Sequence, residues 1–164
     1  MVDVPEDLQI GDIVTVLNAT DADKGKNAQI RYKYQNTLVE EKLRKMFKLE
    51  PDTGIIRVGT QLDFEDQPNH ILYVEARDQG VNSVPIYATV VINVLDRNDN
   101  PPKIKVSFLD QSETPEISED AVIGSFVAFV SVTDADHGDA GRIQTKLQET
   151  DDFELETVDA ATNR

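Results

Sequence analysis

"VPEDLQIGDIVTVLNATDADKGKNAQIRYKY", residues 4–34, aligns without a gap with "ISEDAVIGSFVAFVSVTDADHGDAGRIQTKL", residues 117–147. Twelve of the thirty-one positions are identical, among them Glu6/Glu119, Gly11/Gly124, Asp21/Asp134, Asp23/Asp136 and Gly25/Gly138. The offset of 113 residues is too long for a solenoid unit and suits a domain of roughly 100 residues.

Working outward from the repeat, β-branched and aromatic runs broken by Gly, Pro, Asn and Asp predict strands over 13–18, 29–34, 47–50, 55–58, 71–78 and 85–95. One stretch departs from this pattern. In "LVEEKLRKM" (38–46), Glu40/Arg44 and Glu41/Lys45 stand at i,i+4 spacing and predict one or two helical turns. The fold class is therefore all-β: immunoglobulin-like Greek-key β-sandwich repeats in tandem. The first repeat is read as 1–102, ending in the linker "LDRNDNPP" at 95–102. The remainder, 103–164, reads as the N-terminal half of a second repeat, because "FELE" (153–156) answers "FKLE" (47–50). The first unit is expected to fold alone, and the truncated second to fray or aggregate through unpaired strand edges.

Sixteen Lys and Arg against thirty-one Asp and Glu give a net charge of −15, which argues against nucleic acid and anionic membrane surfaces as partners. The absence of cysteine excludes disulfides, thiolate zinc sites and a cysteine nucleophile. No stretch reads as a signal peptide or a membrane span, so any secreted or membrane-bound parent would contribute this chain as a fragment. His70 opens a predicted strand and His137 lies in a turn; both read as surface residues.

The acidic residues gather in four clusters: "PED" with Glu6, "LDFED" with Asp63 and Glu65, "LDRNDN" with Asp96 and Asp99, and "DAD" at Asp21/Asp23 and again at Asp134/Asp136. Packed carboxylates repel unless they are solvated, protonated or bridged by cations, and an all-oxygen donor set suits calcium. An EF-hand is excluded. A twelve-residue loop starting at Asp21 puts Lys26 at the glycine position and Tyr32 at the glutamate position, and one starting at Asp134 gives Asp139 and Thr145.

Together, "DxNDNxP" at Asp96 to Pro101, "LDxE" at Leu62 to Glu65, "PE" at Pro5–Glu6 and "DADxGxN" at Asp21 to Asn27 resemble extracellular cadherin repeats. The second unit's "ISEDAVIGSFVAFVSVTDADHGD" and "IKVSFLD" look most like protocadherins. The resemblance implies about three calcium ions at the linker, with oxygen ligands from Glu6, Asp63 and Glu65, then Asp96, the Arg97 carbonyl, Asn98, Asp99 and the Asn100 carbonyl, then Asp134 and Asp136. Seven of these are carboxylates, close to the charge of three divalent ions. Ala140 stands where the family has asparagine, and its carbonyl is the implied ligand. Asp21, Asp23, Asp78 and Glu119 resemble ligands for other linkers and are expected here to be solvated.

The implied function is a calcium-dependent cell–cell adhesion module. Calcium at the linker would rigidify the extracellular array of a plasma-membrane protein for homophilic recognition of a cadherin-type protein on an apposed cell. This fragment is expected to make no direct membrane contact. Exchange of an N-terminal strand needs a tryptophan anchor in the cadherins that use it; the chain has no Trp, and protocadherin-like pairing through repeat faces is the expectation. A calcium-stiffened spacer repeat is the alternative. A glycoside hydrolase using Asp63 and Glu65 is the rival from another class, disfavoured by few aromatics and no Ser/His/Asp set. "NAT" at Asn18–Thr20 is a glycosylation sequon.

Overall fold

A computed structural model describes residues 1–35, 37–108, 116–148 and 150–157. Its contacts divide the chain into two units, Met1–Arg97 and Asn98–Arg164.

In the first unit the strands are β1 (Val2–Pro5), β2 (Ile13–Val16), β3 (Arg31–Tyr34), β4 (Phe47–Leu49), β5 (Ile55–Val58), β6 (Asn69–Arg77) and β7 (Ile86–Leu95), with a short α-helix, α1 (Glu41–Met46), and a 3-10 turn at Gly25–Ala28. They form two sheets, ordered β1-β7-β6-β3 and β2-β5-β4. The pairings are antiparallel except that β1 runs parallel to β7. The predicted strands are all present within a few residues of the predicted bounds. The sequence reading missed β1, a four-residue strand ending in proline and too short to show alternation. The expected helical turn is α1, where Lys45 Nζ reaches Glu41 Oε1 at 2.8 Å and the Arg44 guanidinium donates to the Val39 carbonyl.

Period-two alternation decides what each strand buries. Leu72, Val74 and Ala76 of β6, Val90, Ile92 and Val94 of β7, and Tyr32 and Tyr34 of β3 meet Val14, Phe47, Ile56 and Val58 from the other sheet in one core. Each fully buried large apolar side chain contributes about 1.5–3 kcal/mol. Tyr34 can be buried because its hydroxyl donates to the Phe47 carbonyl at 2.8 Å, and burial pushes its phenol pKa upward. Gly54, at φ +71°, lets the Leu17 carbonyl lie against it; a Cβ there would come within 2.5 Å of that oxygen.

His70 corrects the surface assignment: it is 3% exposed. Strand β6 begins at Asn69, two residues earlier than predicted, so the inward phase set by Leu72 and Val74 also takes in His70. Its ring meets the Phe47 ring edge-on, centroids 5.1 Å apart, and its Nδ1 has no hydrogen-bond partner among the described residues. His137 is exposed, as expected.

The second unit contains β8 (Lys103–Phe108) and β9 (Ala128–Thr133), an antiparallel pair in the register Ile104↔Val132, Val106↔Val130 and Phe108↔Ala128. Alternation places these six apolar residues on one face, with Lys103, Lys105, Ser131 and Thr133 on the other. Ile104 is 70% exposed. The final residues of "IKVSFLD", Leu109 and Asp110, and the side chain of Asn27 lie outside the described residues.

Burial holds the His70 pKa below its ordinary value of 6.5, with Lys42 adding repulsion; the Gln67 carbonyl and Asp66 oppose the shift. The unfolded chain therefore takes up a proton that the fold resists, and stability falls as pH drops below about 6.5 toward the lowered value. Urea unfolding followed by circular dichroism at pH 7.5 and 5.5 should show wild type losing more stability on acidification than His70→Leu. Equal losses would place no titration at His70.

Candidate metal centre

The first unit builds one acidic cluster around Glu6. Parallel pairing of β1 with β7 runs in the register Val4↔Val94 and Pro5↔Leu95, and the Glu6 N–H continues it by donating to the Leu95 carbonyl at 3.1 Å. This delivers Glu6 to the point where β7 gives way to Asp96 and Arg97. Glu6 is 2% exposed. Its Oε1 accepts the Arg97 backbone N–H at 2.6 Å, its Oε2 accepts that of Phe64 at 2.8 Å, and its carbonyl accepts Gln61 Nε2 at 2.9 Å. Asp63 starts a turn, its Oδ1 accepting the Asp66 N–H at 2.9 Å, and the turn presents Glu65 to the cluster. A Glu65 carboxylate oxygen lies within 4.8 Å of one from Glu6, and likewise of one from Asp96. The Arg97 guanidinium approaches Asp7 at 3.5 Å, so what Arg97 offers here is main chain.

The second unit builds another cluster, from Asn98 to Asn100 and the "DAD" turn. The Asp136 N–H donates to Asp134 Oδ1 at 3.1 Å, the same Asx turn that the Asp23 N–H makes with Asp21 Oδ1 at 2.8 Å in the first unit. Gly138 and Gly25 follow at φ +60° and +68°. Asn100 donates to Asp136 Oδ1 through its backbone N–H at 3.2 Å and its Nδ2 at 2.8 Å. Asn98 Nδ2 donates to the Ala140 carbonyl at 2.7 Å, so the alanine that replaces the family's asparagine does turn its carbonyl into the cluster. Pro101, Pro102, Ile143 and Arg142 help to line a cavity of about 440 Å³ beside these groups.

Sequence reasoning missed two contributors. Gln61 holds the Glu6 carbonyl, yet it lies one residue outside the motif. Gly141 occupies the place of Ala28 in the repeat, and a Cβ there would collide with the Asp136 carbonyl. An alanine-to-glycine difference between the aligned copies was the available signal.

The donors fit a hard cation. Asp136 is 7% exposed, and while its Oδ1 is satisfied by Asn100, its Oδ2 has no hydrogen-bond partner among the described residues. A buried carboxylate oxygen without a donor is costly unless it is protonated or meets a cation. Carboxylate, amide and backbone oxygens with no thiolate are calcium's ligand set. Asp21, Asp23 and Asp78 also bring carboxylate oxygens within 4.8 Å of one another; Asp21 and Asp23 are exposed, Asp78 is half-buried, and Glu119 stands exposed.

Residues 1–95 match the family model described as Cadherin domain. Protocadherin-19 of Danio rerio is 42% identical over 154 residues, covering 94% of this chain and 14% of that protein. The solved structure of PcdhgB3 EC1-4 superposes with a TM-score of 0.84 at 34% identity over 96% of this chain and 36% of that one. Protocadherin Gamma B2 extracellular cadherin domains 1-5 give 0.73 at 34% identity, over 85% and 25%. The chain thus spans about one seventh of the curated relative's length.

Because Glu6 satisfies two backbone N–H groups, its role in the fold is separable from any metal. In chelator-containing buffer, Glu6→Ala should cost about 3 kcal/mol in urea unfolding, whereas exposed Asp63→Ala should stay within about 1 kcal/mol.

Proposed function

The chain belongs to the cadherin family, and from that premise we propose that it is a calcium-dependent cell–cell adhesion module from the extracellular part of a plasma-membrane protein, pairing homophilically with a cadherin-type protein on an apposed cell. The family is one of adhesion proteins and not of enzymes, which sets aside the hydrolase reading of Asp63 and Glu65. Among the described residues no helix is long and apolar enough to cross a membrane. The domain reading carried into this proposal is a repeat over 1–102 followed by part of a second over 103–164.

The observation that carries the calcium reading is Asp136, a buried carboxylate with one oxygen satisfied and the other open. Around it the proposed ligands are Asn98, Asp99, the Asn100 carbonyl, Asp134 and the Ala140 carbonyl. From the first unit they are Glu6, Asp63, Glu65, Asp96 and the Arg97 carbonyl. When bound, calcium supplies the positive charge that cancels repulsion among the seven carboxylates. The protein's own part is preorganisation. The Asx turn fixes Asp134 against Asp136, Asn100 holds Asp136 by two donors, and Glu6 is clasped by the backbone N–H groups of Phe64 and Arg97. Pro101 and Pro102 restrict φ just past the acidic segment and so limit how the chain leaves it. Two repeats joined through such a linker would stiffen as calcium binds, and a stiff array meets a partner at lower entropic cost.

Calorimetric calcium titration of the intact chain should show saturable binding in the range of roughly 0.1 to 1 mM, typical of extracellular modules. Asp136→Asn and Asp99→Ala should each weaken it several-fold or more. Beads coated with the chain should aggregate in calcium and disperse on chelation. Calcium binding without aggregation would favour the spacer reading, and no binding up to several millimolar would refute the calcium site.

A further inference from the structure

We propose that Asn18 is an N-glycan acceptor and that the folded first unit carries the sugar on the outer side of the segment following β2. The sequon Asn18-Ala19-Thr20 is the one such motif in the chain, with no proline within or directly after it. Sequons arise by chance, and what separates a usable one from an accident is whether the fold leaves the amide free and solvent-facing. Here the structure adds three observations.

First, residues 17–20 follow the last residue of β2 in no regular element, and they alternate: Leu17 and Ala19 pack against the core, whereas Asn18 and Thr20 are exposed. The acceptor amide and the hydroxyl two residues on are therefore both open to solvent. Second, the anchoring is on the other side. The Leu17 N–H donates to the Gly54 carbonyl at 2.9 Å and the Ala19 N–H to Tyr32 Oη at 2.8 Å, so core and backbone hold the segment without calling on the Asn18 side chain. Third, the aligned position in the second unit is Ser131, on β9, so the modification is confined to the first unit.

The reaction uses an oligosaccharide linked to a lipid through pyrophosphate. Asn18 Nδ2 forms a C–N bond to the anomeric carbon as the C–O bond to pyrophosphate breaks. The lipid pyrophosphate leaves with the bonding pair, and the amide gives up one proton. Given the hydroxyl at position 20, the acceptor needs only access, and the finished glycan needs a folded surface that leaves room for it.

The proposal rests on the extracellular placement argued above, and its test separates the two. The chain is expressed in mammalian cells behind a cleavable signal peptide. Intact mass is measured on the secreted and the cell-retained protein, before and after peptide N-glycosidase, which leaves aspartate at position 18. A single oligosaccharide mass on secreted, β-folded protein, absent from Asn18→Gln and Thr20→Ala and retained in Thr20→Ser, is the expected result. Secreted protein of unmodified mass, or glycan confined to retained and misfolded chains, would overturn the assignment. Calcium binding is read on the same samples by calorimetry: a glycosylated chain that binds no calcium would sink the adhesion mechanism and leave the Asn18 site standing.

Discussion

The two hydrogen bonds from the backbone of Phe64 and Arg97 to the carboxylate of Glu6 are the constraint on which the acidic end of the first unit depends. Strand β1 is four residues long and attaches to the sheet by a single parallel pairing, a weak hold by itself. Glu6 reinforces it by tying the end of β1 to the 61–65 segment and to the exit of β7. A buried carboxylate is tolerable because charge-assisted donors replace the water it loses. The same donors orient it, so a group that would otherwise destabilise the core becomes a fixed acceptor at the rim.

The two units reuse one solution for gathering negative charge. In each, the first aspartate of "DAD" bonds the backbone two residues on, and a glycine with positive φ then reverses the chain. The carboxylates are held in place by local backbone geometry that does not depend on a large core. This fits a net charge of −15 in a folded protein: most of the described acids sit in exposed turns and strand ends, and the buried residues are apolar apart from Glu6, His70, Glu75 and Asp136.

Behind the rim, the sandwich holds its loops by pinning them from the inside. Tyr32 and Tyr34 are buried rings whose hydroxyls reach the backbone of Ala19 and Phe47, and Gly54 admits the Leu17 carbonyl. The outer side of those segments is thereby free for polar side chains. His70 shows the converse, a titratable ring drawn into the core by strand phase, with Phe47 against it.

Much of this was legible in the sequence. The repeat, the strand-forming runs and the short helix appear where their residue patterns put them, because alternation and turn chemistry are local. The acidic clusters were also visible in the sequence, while the ligand set they resemble came from the likeness to cadherin repeats. Tertiary structure alone decided the rest. Nothing local distinguishes β1 from a loop, since its pairing partner lies some ninety residues away at Ile92 to Leu95. The burial of His70 followed from where β6 begins. Gln61 and Gly141 gained their roles from contacts with Glu6 and Asp136 that no motif encodes. Sequence determines which residues can donate, turn or bury; which of them meet is set by register and by the packing of one sheet on the other, and those are fixed only when distant segments come together.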